Sequence, residues 1–243
     1  MVDMQLHVFE DYNTLSDACA DHICQVVNNK PDSVLILPTG NSPLGTFERL
    51  VEIYQAGMIS FRNTILFELD EYILQPGQSE PILFDWLVDV FISKVDFKPE
   101  NIYAFQANCT DPNLECERMR KALTKHGGAD LALLGLGPNG HLAMNEPGSA
   151  FSATTRVVDL TPETILSNSA YWGNEDLVPR QGMTIGMAEI QCADAVYLLA
   201  CGEKKKDIFQ KLMQSPPDPN LPASVMHQID NAHILVEQSL VED

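Results

Sequence analysis

"ADLALLGLGPNGH", residues 129–141, decides how the rest of the chain is read. Its first eight residues are almost wholly apolar, without the polar alternation of a half-wetted strand, and are too few for an amphipathic helix. Such a run reads as a strand buried on both faces, the kind that parallel sheets contain. It then breaks into glycine, proline and asparagine and delivers a histidine, His141, in a loop. Gly137, Pro138 and Gly140 would suit a plain strand-to-loop corner equally well. What the histidine means depends on what else the chain brings to the same end of the sheet.

Strands and helices alternate on both sides of this stretch. Leu15, Ala18, Cys19, Ile23, Val26 and Val27 recur at helical spacing and predict a helix over 14–28. "SVLILP" (33–38) reads as a strand, followed by a glycine-containing turn and a helix with Phe47, Leu50, Val51 and Tyr54 on its inner face. Ser42 followed by Pro43 suits an N-cap and a first helical position. "TILFEL" (64–69) is a second apolar run that ends abruptly in Asp70-Glu71-Tyr72. Then come a helix over 82–93, a strand over 101–105 and a helix over 113–126 that Gly127-Gly128 ends. Beyond the opening stretch, "DAVYLLA" (194–200), the helix "GEKKKDIFQKLM" (202–213) and "AHILVE" (232–237) continue the alternation. This order predicts an α/β fold: a doubly wound, mostly parallel sheet with helices on both faces. No linker divides the chain, so one domain over 1–243 is expected, with the Pro-rich "QSPPDPNLPAS" (214–224) as a surface loop.

The chain has 243 residues, 45% of them hydrophobic, which suffices for a substantial core. Its net charge of −19 argues against a nucleic-acid partner, although a helix N-terminus and a lysine or two can still hold a small phosphate locally. The first residues lack a basic, apolar leader, and no apolar run approaches a membrane span. The six cysteines are scattered without a CxxC pair and read as reduced thiols. A soluble cytoplasmic protein with no membrane partner is expected, and a homo-oligomer is compatible with everything in the sequence.

In a doubly wound sheet, ligands bind at the carboxyl ends of the strands. Three polar clusters fall there. In "PTGNSP" (38–43), Gly40 allows close backbone approach, Thr39 and Ser42 offer hydroxyls, and the helix start offers free amides. Together with Asn41 these are the parts of a phosphate cradle, or of an ordinary N-cap turn. The loop is neither a Walker A loop nor GxGxxG, which disfavours ATP and dinucleotides. "LDEY" (69–72) puts carboxylates directly after an apolar strand, where Asp70 either shuttles a proton or caps the following turn. His141 can exchange protons with a sugar hydroxyl or ring oxygen, with Glu146 as its orienting carboxylate, or it can be a structural loop histidine. No second His or Cys lies at zinc-ligand spacing, so no zinc site is expected, and no GxSxG elbow points to acyl transfer.

Taken together, "LPTGNSPLGTFERL", "FELDEY", "LLGLGPNGHLAMNEPGSAF", "GMTIGMAEI" and "LPAS" resemble the glucosamine-6-phosphate deaminase (isomerase) family, over about residues 34 to 224. The related 6-phosphogluconolactonases share the fold but tend to read Asp-Glu-Arg where this chain has Asp70-Glu71-Tyr72. The resemblance implies a Rossmann-like sugar-phosphate isomerase-type fold and the conversion of a 2-amino-2-deoxyhexose 6-phosphate to a ketohexose 6-phosphate and ammonia, for which neither a metal nor an organic cofactor is needed. It implies that His141 assists ring opening with Glu146 holding it, and that Asp70 moves the C2 proton to C1. It also implies that the Thr39–Ser42 loop, Gly140 and Lys205 bind the substrate. Asn139 stands where some members carry a relay aspartate; it can hydrogen-bond but cannot take a proton.

The chain departs from the family pattern in two further ways. Many deaminases carry a phosphate-binding arginine where this chain has Ala170, which leaves Arg180 or the lysines at 204–206 to substitute. "CERMRKALTKHGGADLALLGLGPNGH" also resembles the galactosamine-6-phosphate branch, which lacks the same arginine. Activation by N-acetylglucosamine 6-phosphate is not expected: Ser149 and Arg156 remain, but Val158 and Asp159 follow and the chain ends at 243. Residues 150–172, just after the histidine loop, are a candidate lid. Lactone hydrolysis on the same fold is the alternative enzyme. A non-catalytic phosphosugar sensor is the alternative of another class, and it would not need the Asp70–His141 pair.

Overall fold

The computed structural model describes residues 4–75, 77–78 and 82–242. The strands are β1 (Gln5–Phe9), β2 (Val34–Leu37), β3 (Ile65–Glu68), β4 (Asp70–Tyr72), β5 (Ile102–Tyr103), β6 (Leu131–Gly135), β7 (Arg156–Asp159), β8 (Gln181–Thr184), β9 (Val196–Ala200) and β10 (Ala232–Glu237). The α-helices are α1 (Tyr12–Asn29), α2 (Leu44–Gln55), α3 (Leu83–Val90), α4 (Pro112–Lys125), α5 (Pro162–Trp172), α6 (Met187–Gln191), α7 (Lys206–Gln214) and α8 (Gln238–Val241).

Seven strands form a parallel sheet in the order β1-β10-β9-β6-β2-β3-β5. The fully apolar strands are central because both of their faces are covered. Val34 and Ile36 of β2 point to the side packed by α4, α6, α7 and α8. Leu35 and Leu37 point to the side packed by α1, α2 and α3. The parallel sheet with helices on both faces is as expected from the sequence.

A second sheet, β4-β8-β7, is antiparallel and was not anticipated. The polar "DEY" after β3 is not a loose strand end but its first strand, paired Asp70 to Thr184. Two acids depress strand propensity, so only pairing with β8 makes these residues extended. Tyr72, Met144, Leu160, Ile165, Trp172 and Val178 form a small core between this sheet and α5. The predicted strand at 101–105 contracts to the two residues of β5, at the sheet edge. The predicted surface loop at 214–224 is corrected at its far end, where Leu221, Pro222, Ala223 and Ser224 are buried.

Candidate active site

β2 and β6 lie side by side, and the chain leaves them in opposite directions, β2 towards β3 and β6 towards β9. That reversal opens a crevice at their carboxyl ends. A pocket of about 570 Å³ occupies it, and Thr39, Gly40, Asn41 and Ser42 form one wall. Asp70, His141 and Lys205 line the same pocket. Seven residues drawn from four separate stretches of sequence thus converge on one cavity.

The loop after β2 is held from outside. The Tyr12 hydroxyl donates to the Asn41 carbonyl (2.8 Å) and accepts from the Gly45 amide (2.8 Å). Pro43, not Ser42, is the N-cap of α2, and no side chain caps the helix there. The expected Ser42 cap is therefore corrected: Tyr12 of α1 meets the free Gly45 amide instead, and Ser42 remains on the pocket wall.

Strand alternation separates the two acids of β4. Asp70 and Tyr72 line the pocket, whereas Glu71 is fully buried away from it. Glu71 accepts from the amides of Tyr72 (2.7 Å), Leu83 (3.0 Å) and Phe84 (2.9 Å). It therefore meets the free amides at the start of α3, and the capping role considered for Asp70 belongs to Glu71. Burial, and then the Glu71 charge, push the Asp70 carboxyl up to about 7. A carboxylate so poised can take and return a proton near neutrality.

The corner after β6 is tight because the His141 ring lies against the Gly137 backbone. A Cβ on Gly137 would overlap the ring atoms Cδ2 and Nε2. The backbone closes on itself through Gly137 N to His141 O (3.0 Å) and Gly140 N to Gly137 O (3.0 Å). Asn139 accepts from the His141 amide (3.1 Å) and donates through its own amide to Glu146 Oε2 (2.8 Å). Glu146 Oε2 lies 3.5 Å from His141 Nδ1, and the Thr164 hydroxyl lies 3.3 Å from the same nitrogen. Burial works against the Glu146 charge, but His141, Thr164 and Asn139 outweigh it and bring the carboxyl down to about 2. Asn139 and Glu146 stand behind the imidazole and are not on the pocket wall.

Gly140, expected at the substrate, is also off the pocket wall. Its φ of +86° is left-handed, Leu221 packs where a Cβ would sit, and its carbonyl accepts from Ala223 N (2.8 Å). It ties the histidine corner to the buried "LPAS" segment.

Lys205, at the N-cap of α7, donates to the Leu136 carbonyl, and burial lowers its pKa. Lys204 lines the pocket beside it, while Lys206 turns away to the Glu242 carbonyl. Arg180 is exposed, 3.9 Å from Asp176, and does not reach the pocket wall, so it is no substitute for the arginine missing at 170. Ala170 itself is exposed. Thr164, Ser167, Asn168 and Tyr171 of α5 and Trp86 of α3 also line the pocket; sequence reasoning missed them. The signal was present as polar residues at i, i+3, i+4 and i+7 along α5.

The sequence family described as glucosamine-6-phosphate isomerases/6-phosphogluconolactonase matches residues 10–235. The chain belongs to this family. Among similar family members is a glucosamine-6-phosphate deaminase of Geobacillus sp. (strain WCH70), 38% identical with 99% of this chain and 97% of that protein covered. Another is the glucosamine-6-phosphate deaminase of Staphylococcus haemolyticus (strain JCSC1435), 34% identical with 98% of each covered. A solved structure of a monomeric glucosamine-6-phosphate deaminase superposes with a TM-score of 0.94 at 31% identity, over 98% of this chain and 99% of that one. The 6-phosphogluconolactonase of Trypanosoma cruzi shares the fold, with a TM-score of 0.79 at 16% identity over 100% and 97% of the two chains.

Proposed function

We propose that this chain, acting as one domain, is an amino-sugar phosphate deaminase that converts glucosamine 6-phosphate and water to the ketohexose 6-phosphate and ammonia. The observation that carries this reading is that Asp70, a carboxyl raised to about 7, and His141 line the same pocket as the Thr39–Ser42 loop and Lys205. Whole-length similarity to deaminases from several bacteria supports it.

The chemistry follows from the groups available. The phosphate sits against the Thr39–Ser42 loop, with the Lys204 and Lys205 ammonium groups neutralising it, and its binding positions C1 and C2. His141, oriented by Glu146, passes the anomeric hydroxyl proton to the ring oxygen, which breaks the C1–O5 bond and leaves an open-chain aldehyde. Asp70 then removes the C2 proton, giving an enolamine, and returns that proton to C1. The C–C double bond becomes a C2 imine, and water hydrolyses it to ketone and ammonia. One carboxylate suffices because the two carbons are adjacent.

The exposed Ala170 favours a second substrate, galactosamine 6-phosphate, as the deaminase branch named for that sugar resembles this chain there. C4 is remote from the C1–C2 chemistry, so both epimers suit the same catalytic groups. The reaction would take place in the cytoplasm, in keeping with described residues that include no helix long and apolar enough to cross a membrane. Ammonia release from each epimer, with Asp70→Asn as control, is the test. Silence on both sugars combined with hydrolysis of 6-phosphogluconolactone would overturn the reading, and so would full activity of Asp70→Asn.

A further inference from the structure

Three carboxyl groups lie within four residues at the β3–β4 junction, and the proton-transfer scheme uses only Asp70. Glu68 and Glu71 are both fully buried, deeper than any step of that scheme requires. Charged groups without function are seldom left in such places, since removal from water costs several kcal/mol per ion unless partners replace the solvent. For Glu71 the partners are visible: three backbone amides, two of them at the first turn of α3. Burial pushes the Glu71 pKa up, but those amides and a hydrogen bond from Glu68 oppose it, whereas Glu68 is pushed well above the ordinary value, so Glu71 is the member of the pair that keeps its charge.

Glu68 is placed differently. Its Oε2 accepts from the Phe105 amide at 2.8 Å, while its Oε1 is buried and meets no donor. Its neighbour is the Glu71 carboxylate, and burial followed by that charge raises its pKa well above the ordinary value. A proton retained on Glu68 gives the orphaned oxygen a partner, as a carboxyl-to-carboxylate hydrogen bond to Glu71. One net negative charge then remains in the pair, fixed beside Asp70.

We propose that Glu71, backed by Glu68, is a positioning residue for Asp70: it ties β4 to the amino end of α3 and fixes one negative charge next to the Asp70 carboxyl. The proposal rests on Asp70 being the proton-transferring group. The tie also sets the pocket wall, because Leu83 and Trp86 of α3 line the same pocket as Asp70. Among the described residues, the other titratable groups lining the pocket are Tyr72 of β4, His141 after β6, Tyr171 of α5, and Lys204 and Lys205 before α7. The lysines carry the charge opposite to that of Glu71.

Two substitutions separate charge from tie. Glu71→Gln keeps one acceptor oxygen, enough for the Tyr72 and Leu83 amides but not for that of Phe84, and removes the charge, so Asp70 should become more acidic. The acid limb of kcat/KM should move down by about 1 pH unit, with KM changed less than threefold. Glu71→Asp keeps the charge but is one methylene too short to reach α3. There the limb should stay in place while KM rises. Glu68→Gln, which still donates to Glu71, should leave the limb where it is. A Glu71→Gln limb that stays put or moves up overturns the proposal. So does failure of both Glu71 variants to fold, which would assign the carboxylate to the fold alone. A 13C NMR titration of the Asp70 carboxyl, with Asp70→Asn identifying its signal, reads the same shift without substrate. A chain inactive on both amino-sugar phosphates would therefore sink the deaminase reading and leave this test standing.

Discussion

Glu146 Oε2 lies 3.5 Å from His141 Nδ1, and the histidine lines the pocket while the carboxylate does not. The same oxygen accepts from the Asn139 amide, so the loop preceding the histidine and the segment following it grip one carboxylate. This arrangement holds the ring at Nδ1, on the wall of the pocket. His141→Gln should slow turnover of the cyclic sugar roughly 100-fold or more, with a melting temperature within a few degrees of wild type. Steady-state kinetics beside thermal melts check this, and an aggregating variant would point to a purely structural histidine.

Glu146 has a pH signature of its own. Its pKa falls from 4.5 to about 2 on folding, so its contribution to stability is present above about pH 4.5 and is lost as pH falls through about 2. Glu146→Gln should therefore be less stable than wild type at neutral pH, with the gap closing as the solution is acidified. Thermal melts across that range would show a constant gap if the carboxylate were not held this way.

Asp70 should behave in the opposite sense. Its folded pKa of about 7 lies above the ordinary 3.8, so burial is tolerated below pH 3.8 and becomes costly as pH rises through 7. Asp70→Asn removes that cost. Its stability advantage over wild type should grow between pH 4 and 7 and level off above, reaching at most roughly 4 kcal/mol. Denaturant titrations at several pH values read this directly. An advantage that does not vary with pH would show that Asp70 is not strained by ionisation.

Gly137→Ala puts a methyl group into the space of the His141 ring. The imidazole must swing away from Glu146, and activity should fall about as far as in His141→Gln, with a loss of roughly 1–3 kcal/mol of stability from overpacking. Wild-type kinetics in this variant would mean that the ring has another productive position.

Tyr12→Phe probes the phosphate loop from behind. The Gly45 amide and the Asn41 carbonyl both lose their partner, which should cost about 1–3 kcal/mol and raise KM for the sugar phosphate more than it lowers kcat. Equal KM values in the two proteins would separate the loop's geometry from Tyr12.

Much of this site was legible before any coordinates. The runs 33–38, 64–69, 129–136, 194–200 and 232–237 are apolar because both faces of a central parallel strand are covered, and that signal needs no context. Placing Thr39–Ser42, Asp70 and His141 at one sheet edge followed from the strand ends alone. β1, β7 and β8 escaped because their faces are half-wetted or their residues mixed. "QGMT" carries no alternation to recognise, and it is extended only because β4 and β7 lie on either side of it.

Sequence by itself determined the parallel sheet, the order of its elements and the identity of the groups at its carboxyl edge, since hydrophobic periodicity and local turn chemistry are properties of short segments. Tertiary structure alone decided which of two adjacent acids faces the pocket, which hydroxyl meets the free Gly45 amide of α2, and that Gly140 packs under Leu221 while Gly137 receives the histidine ring. It also decided that α5 brings Asn168 and Tyr171 to the pocket and leaves Ala170 in solvent. The reason is physical. Apart from the Gly137–His141 contact, these outcomes depend on partners distant in sequence, such as Phe84 for Glu71, Tyr12 for Gly45 and Leu221 for Gly140, and only folding brings such partners within hydrogen-bond or van der Waals distance.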